Sequence, residues 1–128
     1  MAAEMTVDLV AVERKIWSGQ ATFLRARTTV GEVGIMPGHE ATLAQLEEAG
    51  VVRVDGVDGE STTLAVRGGF LAITADTVTV LAEFAEQADE IDVAKARSER
   101  DAADTSDPEG AATAAWANAR LQAAGAAE

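Results

Sequence analysis

The chain has 128 residues, no cysteine, one histidine and a net charge of −12. That length allows one ordinary domain with a small appendage, and a hydrophobic content of 48% is that of a globular chain rather than a disordered one. The acidic balance excludes a nucleic-acid binder, which needs a basic stripe to displace counterions from phosphates, and the missing cysteines exclude disulfides and thiolate metal sites.

No apolar run approaches the 18 or so residues of a membrane helix. The start, Met-Ala-Ala-Glu, lacks the basic head and apolar stretch of a secretion signal, so the chain is expected in the cytoplasm. From Met5 to Val12 apolar and polar residues alternate, the pattern of a half-buried strand. Ser18-Gly19 then reads as a turn, and Ala21 to Thr28 as a second strand. Gly31 to Met36 is a short strand that stops at Pro37-Gly38. Thr42 to Leu46 and Val51 to Asp55 come next, and Asp55-Gly56-Val57-Asp58-Gly59 marks a hairpin because Asp-Gly pairs tolerate positive φ. Thr62 to Val66, Phe70 to Thr74 and Thr77 to Ala82 complete the series, broken at Gly68-Gly69 and Ala75-Asp76. Turn signals about every ten residues predict an antiparallel β-sandwich over residues 1–87.

The composition then changes. Of the 11 glycines, 9 precede residue 87, and Ala, Asp, Glu and Arg dominate the remainder of the chain. Residues 88–128 read as a two-helix antiparallel hairpin. Asp89-Glu90 opens the first helix, which is expected to run to about Asp104. The second opens either at Ser106, which has capping-box spacing to Glu109, or at Asp107 ahead of Pro108, and stops at Gly125. The whole chain is thus mainly β with an α-helical end. Ile91, Val93, Trp116 and Leu121 are the large apolar residues of this hairpin, and helices of this length are marginal alone, so it must dock or move. Three base-first pairs four residues apart, Lys95/Glu99, Arg97/Asp101 and Arg100/Asp104, would add little. Ala112, Trp116, Ala119 and Ala123 form one stripe, which makes Trp116 the expected anchor.

Enzymatic parts are missing from the pattern. His39 is alone, which removes a triad and a histidine metal site, and no metal ligand set is predicted. No carboxylates sit at a spacing that marks an acid–base pair. The glycines near residue 31 lead into a β-like segment and Pro37, not into a helix N-terminus that could hold phosphate.

Gly31-Glu32-Val33-Gly34-Ile35-Met36-Pro37-Gly38-His39 resembles the signature of ATP synthase epsilon subunits, Gly-Glu-hydrophobic-Gly-Ile-X-Pro-Gly-His. Arg67-Gly68-Gly69-Phe70-Leu71-Ala72-Ile73 followed by Val78-Thr79-Val80-Leu81-Ala82, the Trp17-Ser18-Gly19 position and Asp89-Glu90-Ile91-Asp92 are similar to that family in the same order. The resemblance implies a non-catalytic rotor subunit at the cytoplasmic face of the bacterial plasma membrane, held there through the complex. Its sandwich would bind the gamma subunit and rest on the c-subunit ring, coupling proton flow to ATP synthesis without a cofactor. Glu32, Met36 and His39 match the family's contacts to gamma and the ring. The helices would regulate or stabilise, reaching the alpha and beta subunits. Ile91, Asp92, Lys95 and Arg120 match an ATP contact, with Lys95 standing where the family has arginine, a point charge in place of a planar fork. Two other readings compete: an ATP-sensing module built on Ile91-Asp92, and a free-standing sandwich that binds a peptide or saccharide.

Overall fold

The structure is a computed structural model and describes residues 4–74 and 76–125. Seven strands come first: β1 Met5–Ala11, β2 Lys15–Thr28, β3 Gly31–Ile35, β4 Thr42–Gln45, β5 Gly50–Gly56, β6 Ser61–Ile73 and β7 Thr77–Gln87. A 3₁₀ turn, Ala88–Glu90, leads to α1 Val93–Ala102 and α2 Pro108–Ala123.

Three long strands build both layers of the sandwich. β2 pairs with β1 along its first half and with β5 and β3 along its second. β6 pairs with β5 from Ser61 to Val66 and with β4 from Phe70 to Ile73. β7 runs beside β6 throughout and also pairs with β1. One layer therefore reads β3-β2-β5-β6-β7 and the other β2-β1-β7-β6-β4. Inward residues alternate as a pleat requires: Met5, Val7, Leu9 and Ala11 from β1 meet Leu24, Ile35, Val52, Val54, Leu64, Leu71 and Val78 in a shared core.

Three expectations are corrected here. The sandwich is not wholly antiparallel, since β1 and β7 run parallel. Ser18-Gly19 is not a turn but lies within β2. Ser18 donates to Asp8 Oδ1 at 2.6 Å, and the ring of Trp17 folds over Gly19, where a Cβ would meet it at 3.0 Å. The reversal falls earlier, where Ala11 N–H donates to the Arg14 carbonyl. Gly68-Gly69 does not end a strand. Both residues have positive φ (63° and 112°), and pairing with β7 continues on either side of them. They bend β6 from one layer into the other, and at Gly69 a side chain would collide with the Leu81 carbonyl.

The first helix opens later than expected, while the second opens at Asp107 ahead of Pro108, one of the two starts expected. Glu90 accepts from Gln87 N–H at 2.9 Å and from Arg14 at 2.8 Å, which closes a single turn there. Asp92 is the cap of α1, accepting from Lys95 N–H at 3.0 Å, and Asp107 caps α2 through Gly110 N–H at 2.7 Å, with Pro108 next in the chain. Ser106 turns instead to Asp104. Gly125, at φ 76°, ends the second helix. Among the described residues none of the three base-first pairs forms, and Arg100 meets Asp101 instead. The hairpin is docked: α2 lies over β5 and β6, with Ala114, Ala117, Ala119, Arg120, Leu121 and Ala123 buried.

Candidate partner interface

Strand phase decides what the second layer shows to the outside. Because Val78, Val80 and Ala82 of β7 point inward, Leu81 points out, and the same holds for Phe70 beside Leu71. Leu81 pairs with Phe70 on one side and with Val10 on the other. Leu43 of β4 pairs with Ala72, the next outward residue of β6. Leu43, Phe70 and Leu81 are 73%, 51% and 46% exposed. They form an apolar stripe across β1, β7, β6 and β4. An outward row of large apolar side chains has the composition of an interaction surface. The outer face of the other layer differs, because α2 covers its β5 and β6. Sequence motifs assign no surface role to Leu43 or Leu81, although an apolar residue at an outward phase is the signal for each.

The turn after β3 borders one end of the sandwich. His39 N–H donates to the Met36 carbonyl, Gly38 takes φ 85°, and His39 Nδ1 lies 2.8 Å from the Glu40 carbonyl. Met36 is exposed and His39 half-buried, beside a small crevice lined by Met5, Ile35, Ile73 and Val78. Glu32 is elsewhere. It lies on β3, opposite Arg27 and 3.5 Å from Arg25, on the face that carries α2. The structure therefore does not gather Glu32, Met36 and His39 at one point.

The four residues matched to an ATP contact are committed in different ways. Asp92 caps α1, Lys95 is exposed, and Ile91 is half-buried. Arg120 is 7% exposed. Its Nε lies 2.8 Å from Glu86 Oε1 on β7 without an aligned hydrogen bond, and its Nη1 donates to Glu99 Oε1 on α1 at 3.1 Å. That guanidinium joins the sandwich to both helices. Trp116 is half-buried rather than enclosed: its ring meets the edge of Phe84 at 5.8 Å, with the Arg67 guanidinium 5.9 Å from its centroid. Leu121, fully buried, anchors the second helix more deeply than Trp116 does.

Glu90 and Asp55 are both held below the usual carboxylate range. For Glu90 the main cause is the hydrogen bond from Arg14, and for Asp55 that from Ser61, with Arg53 adding to it. Both serve the scaffold. Among the described residues no group of three or more His, Cys, Asp or Glu side chains could hold a metal ion.

A two-layer sandwich with a docked helical hairpin partly covering one outer face and an apolar stripe on the other fits a small assembly subunit. The family described as "ATP synthase, Delta/Epsilon chain, beta-sandwich domain" matches residues 4–88. The ATP synthase epsilon chain of Rhodococcus jostii (strain RHA1) is 63% identical over 84 residues, 66% of this chain and 69% of that one. That of Mycobacterium avium (strain 104) is 56% identical with the same coverage. A solved structure of the Euglena gracilis mitochondrial ATP synthase contains a chain of similar fold, with a TM-score of 0.74 and 24% identity, covering 95% of this chain and 81% of that one. The chain belongs to the ATP synthase delta/epsilon chain family, on its epsilon side, and is a non-catalytic subunit.

Proposed function

We propose that the chain is a central-stalk subunit of the proton-translocating ATP synthase, turning with the rotor and coupling its rotation to ATP synthesis. The observation that carries this reading is the bare apolar stripe of Leu43, Phe70 and Leu81 on a member of this family. Gamma is the partner for that stripe, since a permanent rotor contact calls for a dry apolar centre. The turn carrying Met36 and His39, at one end of the sandwich, rests on the c ring, and Glu32 lies along the adjoining strand. Membrane attachment runs through this contact: among the described residues no helix is long and apolar enough to cross a membrane. The complex then sits at the cytoplasmic face of the bacterial plasma membrane. The docked hairpin stabilises the sandwich or restrains hydrolysis by reaching the alpha and beta subunits.

The test is co-purification with gamma. Phe70→Glu and Leu81→Glu place charge in the stripe, and both side chains are about half exposed already, so the isolated chain should melt within about 1 kcal/mol of wild type. Each variant should lose gamma on gel filtration. A variant that retains a stoichiometric gamma complex would show that the stripe is not the gamma contact.

A further inference from the structure

The outer face of the β3-β2-β5 region holds a concentration of positive charge at odds with the rest of the chain. Only 10 of its residues are basic against 22 acidic, yet three arginines share this patch. Arg25 and Arg53 are direct register partners across β2 and β5, and Arg27 is the next outward residue of β2. Like charges placed directly opposite one another destabilise a sheet. The carboxylates nearby do not balance them fully. Glu32 stands 3.5 Å from Arg25, outside good hydrogen-bond range, with both side chains about half exposed. Arg53 spends Nε on Asp55 and Nη2 on Ser61, which leaves Nη1 without a hydrogen bond among the described residues. Arg27 has no ion-pair partner among the described residues. Its stem runs beside Gly50, where an added Cβ would meet the Arg27 Cβ at 3.3 Å.

These side chains line a groove of about 410 Å³ together with Val51 and, from α2, Gln122. We propose that Arg25, Arg27 and Arg53, with the Gln122 amide, bind a phosphate-class oxyanion. Guanidinium forks match a phosphate's oxygens in pairs, which ammonium groups do not, and all three cations here are arginines. An anion in the groove relieves the Arg25–Arg53 repulsion and satisfies the free donors. Glu32 sets an upper limit on affinity, because its carboxylate competes for Arg25 and stands in register opposite Arg27. The groove is separate from Asp92, Lys95 and Arg120, and no part of it is shared with the apolar stripe.

The probe is inorganic pyrophosphate, titrated calorimetrically into the full chain at low ionic strength. Wild type should show one saturable site that weakens with added salt. Arg27→Gln should lower the association constant about tenfold, the worth of one charge-assisted contact. Arg27 is exposed and makes no salt bridge among the described residues, with Glu32 only its register partner on β3, so this variant should fold as wild type. Arg53→Gln should do the same, with its melting curve checked because it also meets Asp55. Arg97→Gln, on α1 outside the groove, should leave binding unchanged. Absence of saturable binding in wild type, or equal weakening by Arg97→Gln, would overturn the site. Co-sedimentation with phosphatidylglycerol vesicles separates the sources of phosphate: wild type should stay in the supernatant, and pelleting abolished by Arg27→Gln would assign the groove to a lipid headgroup instead of a free anion.

Discussion

Replacing Arg120 by Met should release the hairpin from the sandwich. The Arg120 side chain is 9% exposed and Glu86 19%, with 2.8 Å between Nε and Oε1. Removing one member of a buried pair costs about 3–5 kcal/mol, mostly because the other charge is left without a partner. Glu86 keeps some contact with water, so about 2–3 kcal/mol is the fitting magnitude. Glu99 is 41% exposed and adds only about 0.2–1 kcal/mol. Burial of Leu121, the fully buried large apolar anchor of α2, contributes about 1.5–3 kcal/mol. The lost ion pair therefore matches the main hydrophobic contact that holds the helix down. Amide exchange from Val93 to Ala123 should accelerate about 30- to 150-fold, while exchange in β1 and β5 stays slow. Adding Glu86→Gln should restore part of the protection, because the orphaned charge is gone. Unchanged hairpin exchange in Arg120→Met would refute the argument, as would equal acceleration in β5, which would signal loss of the whole fold.

Trp116→Ala should cost about 1.5–3 kcal/mol, less than full burial would give, because the ring is half exposed and its contacts are one edge-on aromatic and one cation; hairpin amide exchange measures it, and an effect above that of Arg120→Met would reverse the order of the anchors. Gly69→Ala meets both a positive φ and the Leu81 carbonyl, so it should cost more than about 3 kcal/mol, read from a urea midpoint; a midpoint equal to wild type would remove the bend from the account. Glu90, Asp55 and Asp104 all have lowered folded-state pKa values, Asp104 chiefly through Ser106. Their stabilisation is present above the ordinary carboxylate range, at about pH 4, and is lost as pH falls through the lowered values. Arg14→Gln removes the main cause for Glu90, so the acid limb of melting temperature against pH should become shallower; an identical limb would show that the pair contributes nothing.

Strand phase was legible because it is local. The alternation of Met5, Val7, Leu9 and Ala11 can be read without knowing any partner. Gly68-Gly69 and Ser18-Gly19 mislead for the opposite reason. Both have turn chemistry, and only the continued pairing with β7 or β1 shows that the chain runs on through them. Glu32 and His39 stood out through a motif, but a motif does not say that β3 carries Glu32 onto one face while the turn carries His39 to one end. The outward phase of Phe70 and Leu81 is local too, but their alignment with Leu43 into one stripe depends on how β4, β6 and β7 pair. The bridging role of Arg120 could not be found at all: its partner Glu86 lies 34 positions earlier, and the pair exists only because α2 docks.

The composition of the hairpin explains why so few residues hold it. Six of the seven positions from Ala111 to Ala117 are Ala or Thr, and such small side chains let α2 approach β5 and β6 closely while burying little area each. Fixation then falls to Leu121, the Trp116–Phe84 edge and the Arg120 bridge. The sandwich, by contrast, shares one core across seven strands. Its opening requires the loss of many contacts at once, whereas the hairpin leaves by giving up a few large contacts and a row of alanines. The two parts of the chain are therefore expected to open at different free energies, with the helices at the low end. The apolar stripe lies on the opposite layer from α2, so a partner bound there leaves the hairpin free to stay or go.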